Sequence, residues 1–140
     1  MSVTIEGFLT NVKYKNVVLT WSDNDIVVAA PRKEDPLPLQ TWKVVVGANN
    51  KLEGPIRNVG SNFYIGWGAH YDDVIGNVTN DSYQWQLAGS DPLYGSLHFQ
   101  IKNDTKTYTL VATSDKAVGL DASTTGIVPE EGKWVLSKPT

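Results

Sequence analysis

Short runs rich in β-branched and aromatic residues recur along the chain, each bounded by turn-forming residues. Val17-Val18-Leu19-Thr20-Trp21, Ile26-Val27-Val28-Ala29, Trp42-Lys43-Val44-Val45-Val46 and Phe63-Tyr64-Ile65-Gly66-Trp67 are of this kind. So are His98-Phe99-Gln100-Ile101, Tyr108-Thr109-Leu110-Val111 and Lys133-Trp134-Val135-Leu136. Such residues fit a pleated, half-buried surface, so each run predicts a strand. Ser22-Asp23-Asn24-Asp25, Gly47-Ala48-Asn49-Asn50, Asn58-Val59-Gly60-Ser61, Lys102-Asn103-Asp104 and Gly132 supply the turn chemistry between them. No segment places apolar residues at helical spacing. Residues 30–40 contain three prolines, which predicts a loop. Short strands spaced about 8–12 residues apart predict an all-β sandwich or barrel.

A repeat overlies these strands. Three tryptophans are each followed by one residue and then an aliphatic, in Trp42-Lys43-Val44, Trp85-Gln86-Leu87 and Trp134-Val135-Leu136, 43 and 49 residues apart. A second element recurs upstream of each: Val18-Leu19-Thr20-Trp21, Tyr64-Ile65-Gly66-Trp67 and Ala117-Val118-Gly119-Leu120. A unit of roughly 45 residues repeated along an all-β chain predicts pseudo-threefold symmetry within a single domain. The expected units span about residues 1–47, 48–90 and 91–140. The pattern resembles the β-trefoil, in which three units build a barrel closed by three hairpins. Gln-x-Trp, a marker of ricin-type trefoil lectins, is complete at Gln40-Thr41-Trp42. Tyr83-Gln84-Trp85 and Gly132-Lys133-Trp134 keep only its Trp.

Composition narrows the function. The chain has 140 residues, enough for one domain with a sizeable core, and it contains no cysteine. Disulfides, thiolate metal sites and cysteine nucleophiles are therefore excluded. Its formal net charge of −3, with basic residues scattered, does not favour nucleic acid or an anionic membrane as partner. The N-terminal MSVTIEGFLT lacks a basic start followed by an apolar run. The expectation is a cytoplasmic protein, or one released without a classical signal. No stretch approaches the roughly 20 apolar residues that span a bilayer.

The sequence contains no recognisable catalytic motif and no paired-carboxylate signature, so the chain is not expected to be an enzyme or to need a cofactor. His70 and His98 lack partners at metal-ligand spacing, and each reads as an ordinary surface or loop histidine. Asp72-Asp73 reads as a solvated loop tip, and the sequon-like Asn77, Asn80 and Asn103 read as polar turn residues. The middle unit carries the candidate chemistry. Trp67, flanked by Gly66 and Gly68, and the Tyr83–Trp85 pair stand at the two ends of one polar excursion. A pyranose ring has an apolar C–H face and a rim of hydroxyls. An aromatic wall buries that face, and nearby amides and hydroxyls bond the rim. Glycines beside Trp67 allow a ligand close to the backbone, while Asn80, Asp81 and Ser82 supply donors and acceptors. For Trp85 both core packing and ligand contact are open. Residual sites in the other units would lie near Trp21 and Asp121.

The run Ile65-Gly66-Trp67-Gly68-Ala69, the Tyr83-Gln84-Trp85 end of the excursion and the tail Gly132-Lys133-Trp134-Val135-Leu136-Ser137-Lys138 resemble the fucose-binding β-trefoil lectins of mushrooms, in the ricin-B-like superfamily. They are most similar to the nematotoxic inky-cap type that recognises α1,3-fucosylated chitobiose cores. The resemblance implies a carbohydrate site at Trp67, Gly68, Val78, Ser82, Tyr83, Gln84 and Trp85. Ser82 stands for the family's Asn, Gln84 is placed for a backbone contact, and Val78 matches an apolar loop residue. It implies fucosylated N-acetylhexosamine glycans as partners and a defensive role against nematodes or insects. Toxicity or agglutination by weak single sites would require a homodimer or a second site. The alternative is a trefoil protease inhibitor acting through the proline-rich loop that carries Arg32 and Lys33, which its prolines would preorganise.

Overall fold

The β-branched and aromatic runs form strands that close on one another. The computed structural model describes residues 3–22, 27–31, 38–46, 52–62, 64–67, 74–78, 85–88, 96–103, 106–123 and 130–137. The first group of strands is β1 (Val3–Asn11), β2 (Val17–Trp21), β3 (Val27–Pro31) and β4 (Trp42–Val46). Then come β5 (Leu52–Asn58), β6 (Tyr64–Trp67), β7 (Val74–Val78) and β8 (Trp85–Ala88), and finally β9 (Ser96–Asn103), β10 (Lys106–Ala112), β11 (Val118–Ser123) and β12 (Trp134–Ser137). β1 pairs with β4, β4 with β5, β5 with β8, β8 with β9, β9 with β12 and β12 with β1, a closed antiparallel ring of six strands. The hairpins β2–β3, β6–β7 and β10–β11 are attached to it through β1, β5 and β9. This is the β-trefoil. Closing the ring removes the free edges that an open sheet of this size would expose.

Each unit is tied together by its repeat tryptophan. Trp42, Trp85 and Trp134 are wholly buried. Trp42 Nε1–H donates to the Leu19 carbonyl at 2.8 Å, Trp85 to Ile65 at 3.1 Å and Trp134 to Leu110 at 3.0 Å. Each bond runs from the last strand of a unit to the second strand of the same unit and fixes the hairpin against the barrel. It also corrects the expected third repeat. The counterpart of Leu19 and Ile65 is Leu110 on β10, not a residue of Ala117-Val118-Gly119-Leu120. Val118 instead pairs with Ala112, as Val27 pairs with Trp21 and Val74 with Trp67. Ala112 lacks the bulk that makes this position conspicuous in the other units, so the aliphatic strand next to it gave the false match.

The units are joined by two buried asparagines. Asn11 ends β1. Its Oδ1 accepts from the Lys13 and Tyr14 amides, both at 3.0 Å, and its Nδ2 donates to the Glu131 carbonyl at 2.9 Å. Asn58 ends β5 and repeats the arrangement. Its Oδ1 accepts from the amides of Gly60 and Ser61 at 3.1 and 3.0 Å, and its Nδ2 donates to the Leu39 carbonyl at 3.0 Å. Leu39 and Glu131 lie in short 3-10 turns, Pro38–Gln40 and Glu130–Gly132, three residues before Trp42 and Trp134. The amides of Val59 and Val12 reinforce the joints by donating to Thr41 and Lys133. The third joint differs. Extending the β8–β9 register by one residue sets Ile101 opposite Trp85, where Asn58 faces Trp42 and Asn11 faces Trp134. Ile101 is buried and has no side-chain amide to give.

Some elements depart from the sequence expectation. Residues 30–40 are not all loop, since Ala30 and Pro31 belong to β3 and Pro38–Gln40 makes the 3-10 turn. Asn58, Lys102 and Asn103 lie in strands rather than turns. β5 contains Gly54 and Pro55, which speak against a strand. The β4–β5 register shifts between Val44 and Val46, where Pro55 has no N–H to offer the ladder. β1 is interrupted in pattern by Gly7, where the strand changes partner from β4 to β12. A Cβ there would strike the Ser137 carbonyl. His98 sits half-buried in β9 opposite Ala88, not in a loop.

Substitutions at Trp134, Asn58 and His98 test this account of the fold. Trp134→Ala should cost about 3–5 kcal/mol in chemical denaturation. Trp134→Phe, which retains the ring but strands the Leu110 carbonyl, should cost about 1–3 kcal/mol. Asn58→Ala should destabilise by about 1–3 kcal/mol, and Asn58→Asp, which keeps the two accepted bonds but sets a buried carboxylate oxygen against the Leu39 carbonyl, should cost at least as much at neutral pH. Burial and the nearby Lys133 ammonium hold the His98 imidazole below its ordinary value. The unfolded chain therefore binds the proton more readily. His98 contributes stability above about pH 6.5, and this is lost as pH falls through the lower folded value. The melting temperature of His98→Gln should fall less than that of the wild type between pH 7.5 and pH 5. Superimposable profiles would remove His98 from the account.

Candidate functional site

The backbone of the middle unit brings two of the expected site residues onto one hairpin. Trp67 ends β6 and pairs with Val74, while Val78 ends β7 and pairs with Tyr64. A register shift between Tyr64 and Gly66 interrupts the hairpin between these two pairs. The side chains of Trp67 and Val78 lie outside the described residues, as do Gly68, Ser82, Tyr83 and Gln84 entirely. His70, Asp72, Asp73, Asn80, Arg32 and Lys33 are also outside them.

Trp85 is the one expected site side chain that is described. It is wholly buried and its N–H is committed to Ile65, so of the two roles open to it, core packing is the one its geometry displays. The register also places Trp67 in a symmetric set. Its counterparts are Trp21 and Ala112, both buried and part of the core cluster. Trp21 therefore offers no surface for a residual site in the first unit.

The first unit shows what a complete Gln-x-Trp does. Gln40 is buried, and its Nε2 donates to the Pro31 carbonyl at 2.9 Å and contacts Thr20 Oγ1 at 3.3 Å. The Gln thus stitches the turn before the Trp strand to the β2–β3 hairpin. Tyr83 and Gly132 hold the corresponding positions in the other units. Gly132 is buried, so the third unit closes over this place without a side chain.

Asp121 is exposed on β11. It lines a cleft of about 240 Å³ with Lys13, Tyr14, Thr113 and Glu131. Lys13 Nζ lies 3.5 Å from Glu131 Oε2 and 5.5 Å from the centre of the Tyr14 ring. Both partners of the ion pair are partly solvated, so it contributes little stability. Sequence reasoning singled out Asp121 but missed Tyr14, whose aromatic ring comes from another unit. The signal that could have found it is the spacing of Asn11 and Asn58, 47 residues apart, which marks the loop that follows each as a built element. Among the described residues, no group of three or more His, Asp or Glu side chains could hold a metal ion, and no helix is long and apolar enough to cross a membrane.

No protein-family model matches the chain, and no curated protein matches it by sequence. Among solved structures, the chain is similar to a ricin B-like lectin of Macrolepiota procera in complex with lactose. The likeness has a TM-score of 0.72 and 17% identity, and covers 96% of both chains. That likeness agrees with the β-trefoil fold built by the ring and its three hairpins.

Proposed function

We propose that this protein is a carbohydrate-binding lectin without catalytic activity. The observation that carries the reading is the likeness, over nearly the whole of both chains, to a ricin B-like lectin whose structure holds lactose. The principal site is on the middle unit, at Trp67, Gly68, Val78, Ser82, Tyr83, Gln84 and Trp85, of which Trp85 is the buried core member. Two features favour this unit. Tyr83 stands where the first unit uses Gln40 as an internal stitch, so an amphipathic aromatic replaces a structural amide. The clamp position opposite Trp85 is also Ile101, which has no side-chain amide, whereas Asn11 and Asn58 bond the Glu131 and Leu39 carbonyls in the other joints.

The ligands are fucosylated glycans containing N-acetylhexosamine, and the role is that of a fungal defence effector retained in the cytoplasm until ingestion. Avidity from a homodimer or from more than one site would make weak single contacts effective.

Trp67→Ala tests the site. Affinity for a fucosylated chitobiose glycan should fall at least tenfold, about 1.4 kcal/mol, in a glycan titration. Fold stability measured in parallel should change far less than in Trp134→Ala. A strongly destabilised Trp67→Ala that still binds glycan would make Trp67 a core residue like Trp21 and remove it from the site.

A further inference from the structure

A second cleft lies at the joint between the first unit and the third. It is formed where the loop after β1 meets the end of β3 and the tip of the β10–β11 hairpin, and it encloses about 300 Å³. Its floor is Tyr14, Val17 and Pro31, and its rim is Asn16, Asp115 and Lys116. It shares Lys15, Asn16 and Pro31 with an adjoining cleft of about 360 Å³ that runs on to Thr10 and Val18. The two make one groove with an aromatic and aliphatic floor at one end and a polar edge along it.

We infer that this groove is a second saccharide subsite that takes one pyranose ring over Tyr14, with room for the next ring towards Thr10. The inference rests on the carbohydrate reading above. Three features support it. The first is chemical. A pyranose needs a flat apolar surface for its C–H face and mixed donors and acceptors around it. Tyr14 and Pro31 give the surface. The Asp115 carboxylate accepts from hydroxyls, and the Asn16 amide and Lys116 ammonium donate to them. The second is availability. Asn16, Asp115 and Lys116 are exposed, and none of their side chains has a hydrogen-bond or ion-pair partner among the described residues. The third is preorganisation. The Tyr14 amide is held by Asn11 Oδ1 at 3.0 Å, and the Val17 amide donates to the Tyr14 carbonyl at 3.0 Å. The hairpin tip is held by Thr113 N–H on the Ala117 carbonyl at 2.9 Å, by Lys116 N–H on Ser114 Oγ at 3.1 Å and by the bridge between Val28 and Ala117. Walls fixed in this way need little ordering when a ligand arrives.

The test is a printed array of neutral, sialylated and uronic-acid-containing glycans, read with wild type, Trp67→Ala, Tyr14→Ala and the double variant Asn16→Ala/Asp115→Ala. A subset of wild-type signals should survive Trp67→Ala yet fall at least fivefold in both groove variants. Tyr14 packs against the core, so Tyr14→Ala can lose fold as well as binding, but the double variant changes only exposed side chains and decides the matter alone. An array for the double variant that is indistinguishable from wild type overturns the subsite and leaves the middle-unit lectin standing. A wild-type protein that binds no glycan overturns the carbohydrate reading, and this inference with it.

Discussion

A buried indole N–H must find an acceptor, and a buried backbone carbonyl must find a donor. In this chain three such pairs are made between the last strand and the second strand of each unit, at Trp42 and Leu19, Trp85 and Ile65, and Trp134 and Leu110. The ring of six strands could close in more than one register if apolar side chains alone filled it, because apolar contact is non-directional. A hydrogen bond is directional. Three of them, related by the pseudo-threefold axis, allow one placement of each hairpin against the barrel. The partner switch of β1 at Gly7 and the Asn11 and Asn58 clamps then follow, since each depends on where the Trp strand lies.

The symmetry is obeyed where packing demands it and abandoned elsewhere. The three Trp residues are kept. The position that ends the second strand is Trp21, Trp67 and Ala112, and the position two residues before the repeat Trp is Gln40, Tyr83 and Gly132. The clamp position is Asn11, Asn58 and Ile101. Each departure removes an internal hydrogen bond or changes a volume locally, at a place where nearby backbone pairing can compensate. β9 and β10, for example, continue to pair beyond Ile101 as far as Asn103 and Lys106, so the backbone there is satisfied without an asparagine. A trefoil can thus be held by one set of residues while another set varies from unit to unit.

This division also explains what could be read in the chain. The all-β class, the threefold repeat and the trefoil were legible because they rest on tryptophan, whose size makes its spacing visible, and on the local fit of β-branched residues to a pleated sheet. β5 was hidden by Gly54 and Pro55. Their place in a strand makes sense only once β4 shifts register opposite them. The third unit was misaligned because Ala112 carries no mark of its equivalence to Trp21 and Trp67.

The sequence by itself determined the fold class and the order of the units, since these follow from composition and period, but it left the burial of Trp85 open. Only the tertiary structure decided which carbonyl each indole meets, that Gln40 is an internal stitch and that Asn11 reaches Glu131, 120 residues away. It also decided that Tyr14 shares clefts with Asp121 on one side and with Asp115 on the other. The physical reason is the same in each case. These contacts join residues distant along the chain, and closure of the barrel brings together groups whose meeting no local pattern encodes.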